Sequence, residues 1–166
     1  LTLMLAMPRP KMFRRTLQTC ATLGVKDLWL INSYKVEKSF WQTPWLQEPA
    51  LHNSLVLGLE QARDTLMPKV HIRKLFKPFV EDELPALLAG KQALVAHPGS
   101  AQPCPVHLSG PAALCIGPEG GFTDYEVDKL QQAGCQAVHL GQRILRVETA
   151  VPVLVSRLFD GCGPQH

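Results

Sequence analysis

The chain has 166 residues, 46% of them hydrophobic and 19% charged, with a formal net charge of +3. That is enough chain for one domain that buries its own core without disulfide staples. The composition excludes a charged disordered tail, a collagen and a coiled coil, and no apolar run approaches the roughly 20 residues of a membrane-spanning helix.

Leu1, Leu3 and Leu5 alternate as in a strand, which Pro8 and Pro10 are expected to stop. From Lys11 to Leu23 the apolar set Phe13, Leu17, Cys20 and Ala21 has helical spacing, with Gly24 as a C-terminal cap. Val25 to Ile31 reads as a buried strand, and residues 32–49 as a polar loop carrying Phe40, Trp41 and Trp45. Pro49 is placed to open a helix with Leu51, Leu55, Leu59, Ala62 and Leu66 on one face. A strand is expected over Val70 to Leu75, then a short acidic helix near Glu81 to Ala89 ended by Gly90.

Gln92 to Ala96 reads as a strand running into His97-Pro98-Gly99, followed by a loop rich in Pro, Ser and Gly over 99–111. Ala112 to Ile116 is a strand ending at Gly117-Pro118-Glu119-Gly120-Gly121. Thr123-Asp124-Tyr125-Glu126 is a capping box for a helix that ends at Gly134. Gln136 to Leu140 is the last strand, 141–147 a loop, and a helix runs from Glu148 to Phe159. Its Pro152 is tolerated only in a first turn, where no backbone N–H is needed. Strand and helix alternate throughout, so an α/β fold with a parallel sheet covered on both faces is expected. In such sheets ligands sit beyond the carboxyl ends of the strands.

Charge is unevenly placed. Residues 1–77 hold 12 Lys and Arg against 5 Asp and Glu, and residues 78–166 hold 5 against 9. The basic half points to a polyanion partner or to a solvated lysine-rich surface. Cys20, Cys104, Cys115, Cys135 and Cys162 are odd in number and have no CxxC spacing. That argues against a disulfide framework and a zinc site, and for a reducing compartment. Leu1 opens the chain without a charged leader and cleavage site, so a piece of a longer protein is expected rather than a secreted precursor.

No GxGxxG, Walker loop, GxSxG elbow or HExxH is present, so the parts of classical dinucleotide, NTP, esterase and zincin chemistry are missing. The loop Gly117–Gly121 has three glycines, which let backbone amides approach a ligand or simply make a tight turn. The segment 141–150 sets Ile144 and Leu145 between Arg143 and Arg146. These apolar residues either cap the core or wall an adenine pocket, and Arg146 with Glu148 is either an ion pair or an acid–base couple.

Ile116-Gly117-Pro118-Glu119-Gly120-Gly121-Phe122, taken with Leu140-Gly141-Gln142-Arg143-Ile144-Leu145-Arg146-Val147-Glu148-Thr149-Ala150, closely resembles the ribosomal RNA small-subunit methyltransferase E family of the SPOUT superfamily. Pro10-Lys11-Met12, Leu23-Gly24-Val25, Glu60-Gln61-Ala62-Arg63 and His97-Pro98 match as well, in the same order. The resemblance implies a SPOUT-type parallel sheet flanked by helices with a C-terminal deep trefoil knot, spanning residues 1–160, with 161–166 as a tail. It implies a homodimer, no metal and no membrane, in the cytoplasm. It implies S-adenosylmethionine as cofactor, held by Ala96, His97, Ile116, Gly117, Gly121, Leu140, Gly141, Ile144 and Leu145. The implied reaction is methylation of N3 of a uridine in 16S rRNA of the small ribosomal subunit.

Under that resemblance Glu148 is the candidate base and Arg146 stabilises charge on a uracil oxygen, or Glu148 only orients Arg146 while water takes the proton. His97 suits a pocket wall better than a base. Arg9, Lys11, Arg14, Arg15 and Arg63 are candidates for RNA phosphates, and Trp41 and Trp45 either stack on bases or pack against a second chain. The family carries a β-barrel RNA-binding domain before this one, which is absent from this chain. Thr22 and Val147 stand where many members have Glu and Thr. The alternatives are another SPOUT RNA methyltransferase, acting on a ribose 2′-hydroxyl or a tRNA base, and a non-catalytic RNA-binding or ribosome-assembly factor.

Overall fold

A computed structural model describes residues 1–159 of the chain. The tail expected over 161–166 and Cys162 lie outside the described residues. Six strands form one sheet in the order β3-β2-β1-β5-β4-β6. They are β1 (Thr2–Ala6), β2 (Asp27–Ile31), β3 (Lys69–Arg73), β4 (Gln92–Ala96), β5 (Ala112–Ile116) and β6 (Gln136–Val138). Every neighbouring pair is parallel. The helices are α1 (Pro10–Thr22), α2 (Ala50–Ala62), α3 (Phe76–Pro78), α4 (Leu84–Leu87), α5 (Asp124–Gln132) and α6 (Val147–Leu158). Helix α1 packs against α2 and α6, and α5 packs against β4, β6 and the π-helical turn Phe79–Glu83 that joins α3 to α4.

β1 lies at the centre of the sheet, and all five of its residues are buried. The alternation of Leu1, Leu3 and Leu5 therefore does not mark a half-exposed strand. With helices on both faces, Met4 and Ala6 are as dry as Leu3 and Leu5. The one polar member, Thr2, donates to Asp27 Oδ2 at 3.1 Å and accepts from Lys91 Nζ at 2.9 Å.

Pro10 does not only end the strand; it is the first residue of α1, where its missing N–H costs nothing. Phe13, Thr16, Leu17, Cys20 and Ala21 form the buried stripe of that helix. Gly24 follows at φ +82° and turns the chain towards β2. α2 crosses α1 so closely that a Cβ on Gly58 would stand 2.4 Å from Gln18 O and 2.7 Å from Ala21 Cβ. Only glycine permits that approach, which Thr22 Oγ1 seals with hydrogen bonds to Gln18 O and Gly58 O.

Several expectations need correcting. α2 ends at Arg63, in the left-handed region at φ 56°, so Leu66 is not on its face and is 56% exposed. The acidic helix expected near Glu81 to Ala89 instead runs without a break from Phe76 to Leu87, with a π turn over Phe79–Glu83 between Pro78 and Pro85, each of which lacks a backbone donor. Pro152 is the sixth residue of α6, inside the helix rather than in its first turn. The strands expected at Val25 and through Leu140 are shorter, starting at Asp27 and stopping at Val138. By contrast, β4 and β5 match their expected bounds residue for residue.

Candidate functional site

Three loops leave the carboxyl ends of β4, β5 and β6, which are neighbours in the sheet. After β4, His97 N donates to Val138 O at 2.8 Å, and Ser100 Oγ donates to Ala137 O at 2.7 Å. The first loop is thereby stitched to the end of β6.

After β5, Gly121 N donates to Pro118 O at 2.8 Å and closes a tight turn, with Gly121 at φ +79°. That backbone conformation strains any residue with a Cβ. Phe122 is buried directly beyond it. Thr123 then caps α5: its hydroxyl accepts from Glu126 N, and Glu126 Oε1 accepts from Thr123 N at 2.9 Å. Glu126 is 3% exposed and also accepts from Ser33 Oγ at 3.1 Å and Tyr34 N at 3.0 Å. Lys35 Nζ donates to Gly120 O at 2.9 Å. The loop after β2 thus clamps the glycine-rich loop from outside.

After β6, His139 N donates to Gln102 O and Cys104 N donates to His139 O, at 2.9 and 2.8 Å. Gly141 N reaches His139 Nδ1 at 2.9 Å, with Gly141 at φ +107°. Residues 141–144 are exposed, and Ile144 is 79% exposed. Arg146 is the N-cap residue of α6, and its carbonyl accepts from Thr149 N and Ala150 N.

The three loops enclose a cavity of about 340 Å³. Ala96, His97, Ile116, Gly117, Gly121, Leu140, Gly141, Ile144 and Leu145 all line it, so the nine positions picked out by motif converge on one space. Phe122, Val138, Val147 and Leu154 extend its apolar wall. Glu119 and Arg143 also line it, and neither was singled out from the sequence. The available signal for Glu119 was a carboxylate inside a glycine-rich turn at a strand end.

Arg146 and Glu148 do not line the cavity, although Leu145 and Val147 beside Arg146 do. Glu148 borders a separate depression with Met12, Arg15, Gln18, Thr19, Thr22 and Leu23 of the α1 side. Its Oε2 is buried without a hydrogen-bond partner, and among the described residues no ion pair joins it to Arg146.

Arg9, Lys11, Arg14 and Arg15 are exposed at the start of α1. Arg9 Nε stands 3.5 Å from Glu119 Oε1, and the Arg14 guanidinium lies 4.8 Å from the centre of the Trp45 ring. Arg63 sits at the far end of α2, towards the amino ends of the strands, away from the other four. Trp41 and Trp45 are half-buried, and Trp41 Nε1 donates to Asn32 Oδ1 at 3.2 Å.

Cys20, Cys104, Cys115 and Cys135 are buried. Burial pushes the Cys20 and Cys135 thiols up to about 12, so neither is a thiolate nucleophile near neutral pH. Among the described residues no cluster of three metal-ligating side chains occurs, and no helix is long and apolar enough to cross a membrane.

The chain is 28% identical over 159 residues to a ribosomal RNA small subunit methyltransferase E from Treponema pallidum, covering 90% of this chain and 58% of that protein. It therefore spans less than two thirds of the relative's length. A crystal structure of a ribosomal RNA small subunit methyltransferase E from Neisseria gonorrhoeae, bound to S-adenosyl methionine, superposes with a TM-score of 0.71 at 28% identity, over 90% of this chain and 60% of that one. A Legionella pneumophila protein in complex with the cofactor SAM gives a TM-score of 0.67 at 26% identity, over 90% and 62%. With a family model described as an RNA methyltransferase domain matching residues 1–159, the chain belongs to that family.

Proposed function

We propose that this chain is the catalytic domain of an S-adenosylmethionine-dependent methyltransferase that acts on N3 of a uridine in 16S rRNA. The observation that carries the reading is the convergence of nine motif positions on one cavity at the carboxyl ends of β4, β5 and β6. Its relatives are named for small-subunit ribosomal RNA, and two neighbours hold the cofactor.

The cavity fits the cofactor. Its volume is in the range of small-molecule sites, and its wall is mostly apolar with a few polar anchors. A Cβ added at Gly121 or Gly141 would meet nothing within 4 Å, so both glycines border open space. Ile116, Leu140 and Leu145 would sandwich a flat aromatic ring, and backbone groups of the three loops would read its edge. The cofactor supplies an activated methyl group that carries its own leaving group, so the protein's task is alignment and proton handling.

Arg146, the N-cap of α6, lies in sequence between the cavity-lining Leu145 and Val147, and its guanidinium would meet negative charge developing on a uracil oxygen. Glu148 faces α1 rather than the cavity, which argues against proton abstraction by it. N3 lies on the pairing edge of uracil, so the acceptor base must be unpaired or extruded. Arg9, Lys11, Arg14 and Arg15 would hold the flanking phosphates. Arg63 would be reached only by RNA continuing along α2.

A deep trefoil knot and a homodimer complete the reading. In support of the knot, the segment leaving β6 bonds to 102–104, and the end of α6 bonds to 107 and 108. The last two elements thus run against the loop between β4 and β5.

Titration calorimetry with S-adenosylhomocysteine tests the cofactor, and nucleoside analysis of methylated RNA tests the acceptor. Binding and 3-methyluridine are expected. A folded chain that binds nothing points instead to a non-catalytic RNA-binding factor, and a 2′-O-methylated product to a different acceptor. Arg146→Ala should lower transfer by about 100-fold or more while sparing the fold; near-normal transfer would contradict its role.

A further inference from the structure

Uracil N3 carries a proton at neutral pH, and that proton must leave before or as the methyl group arrives. Glu119 is the carboxylate that lines the cavity; Glu148 is not among its walls. Glu119 Oε1 is buried and makes no hydrogen bond among the described residues. Among the described residues its ion-pair partner is Arg9, with Nε at 3.5 Å, too far for a good hydrogen bond. A buried carboxylate oxygen left without a partner is costly. Here it persists in a loop whose other polar groups are tied down by Gly121 N to Pro118 O, Lys35 Nζ to Gly120 O, and the Thr123–Glu126 box. The loop is therefore held fixed on both sides of Glu119, whose side chain lines the cavity.

We propose that Glu119 takes the N3 proton of the acceptor uracil, with Arg9 orienting its carboxylate until RNA occupies the site. This deepens the methyltransferase reading and rests on it. The N3–H bond breaks and its proton moves to Glu119. The electron pair left on N3 forms the bond to the methyl carbon. The carbon–sulfur bond breaks with its pair staying on sulfur, which becomes a neutral thioether, and Glu119 returns the proton to water. The charged and titratable groups around Glu119 are Arg9 from the start of α1, His97 and His139 from the loops after β4 and β6, and Arg143 from the far wall. Lys35 approaches the same turn through the Gly120 carbonyl.

The test compares wild type, Glu119→Gln and Glu148→Gln in single-turnover transfer to RNA across pH, with S-adenosylhomocysteine affinity and thermal midpoint measured on the same samples. Glu119→Gln is expected to slow transfer by about 100-fold or more. It should also remove the rise of rate with pH on the acid side, while cofactor-product affinity stays within about threefold. Glu148→Gln should leave that rise in place. Transfer by Glu119→Gln within about threefold of wild type overturns the proposal. So does a parallel loss of S-adenosylhomocysteine binding, which would make Glu119 a cofactor ligand. If Glu119→Gln loses the fold, Glu119→Asp replaces it, with slower transfer, the acid-side rise kept and affinity unchanged; an unaltered rate then contradicts the assignment. A wild-type chain that binds no S-adenosylhomocysteine removes the underlying reading, whereas an active wild type with an active Glu119→Gln removes this inference alone.

Discussion

Two walls of the same cavity are built in opposite ways. The loop after β5 is tied at almost every residue: a closed turn at Pro118–Gly121, a buried Phe122, a capping box, and the buried Glu126 that also holds Ser33 and Tyr34. The loop after β6 is anchored only at His139 and Gly141 before it runs exposed to Arg146, with Ile144 turned largely to solvent. One wall is finished by the domain's own packing. The other has apolar side chains without enough neighbours to bury them, which is the state of a wall that a bound molecule completes.

Breaking the fixed wall should have the largest effect. Glu126→Ala removes the buried carboxylate that accepts from the part-buried Tyr34 and Thr123 amides and should lower folding stability by about 2 kcal/mol, read from denaturant titration. A loss below about 1 kcal/mol would mean that the clamp is ornamental. Gly121→Val places a β-branched residue at φ +79°, strain of about 1–3 kcal/mol. Because Gly121 lines the cavity, S-adenosylhomocysteine affinity should fall by about tenfold or more in calorimetry. Thr123→Ala removes the cap hydroxyl and should cost about 1 kcal/mol, with little change in affinity.

The exposure of the other wall can be read kinetically. In a Cys162→Ser background, Ile144→Cys should react quickly with a thiol reagent at pH 8, and S-adenosylhomocysteine should slow it. Cys20 and Cys135 should stay silent, their thiols held up at about 12 by burial. The same burial fixes a sign. The thiols' ordinary value is 9.0, so the unfolded chain loses these protons first, and stability should fall as pH climbs from 9 towards 12. A flat profile there would contradict it.

The sequence showed the two walls unequally, for physical reasons. β4 and β5 were legible to the residue because each is a short run of small and branched apolar residues bounded by Gly or Pro. The α5 capping box announces itself, since Thr123 and Glu126 stand at the spacing the hydrogen bonds require. The end of α2 was hidden, because Arg63 adopts a left-handed conformation that glycine usually signals, and Leu66 continued the apolar period by chance. Pro152 was misplaced because α6 accepts a proline where the rule forbids one. In the site, the glycines and apolar residues of the cavity were readable from motif. Glu119 was not, because only the fold brings it to the cavity wall and sets Arg9 of another element beside its carboxylate.

The central claim is that the three strand-end loops hold one methyl donor between them. A crystal structure grown with S-adenosylhomocysteine tests it most directly. The adenine ring is expected between Ile116, Leu140 and Leu145, with the loop around Ile144 drawn down onto it. A ligand found outside that cavity, or a cavity left empty at saturating concentration, would contradict it.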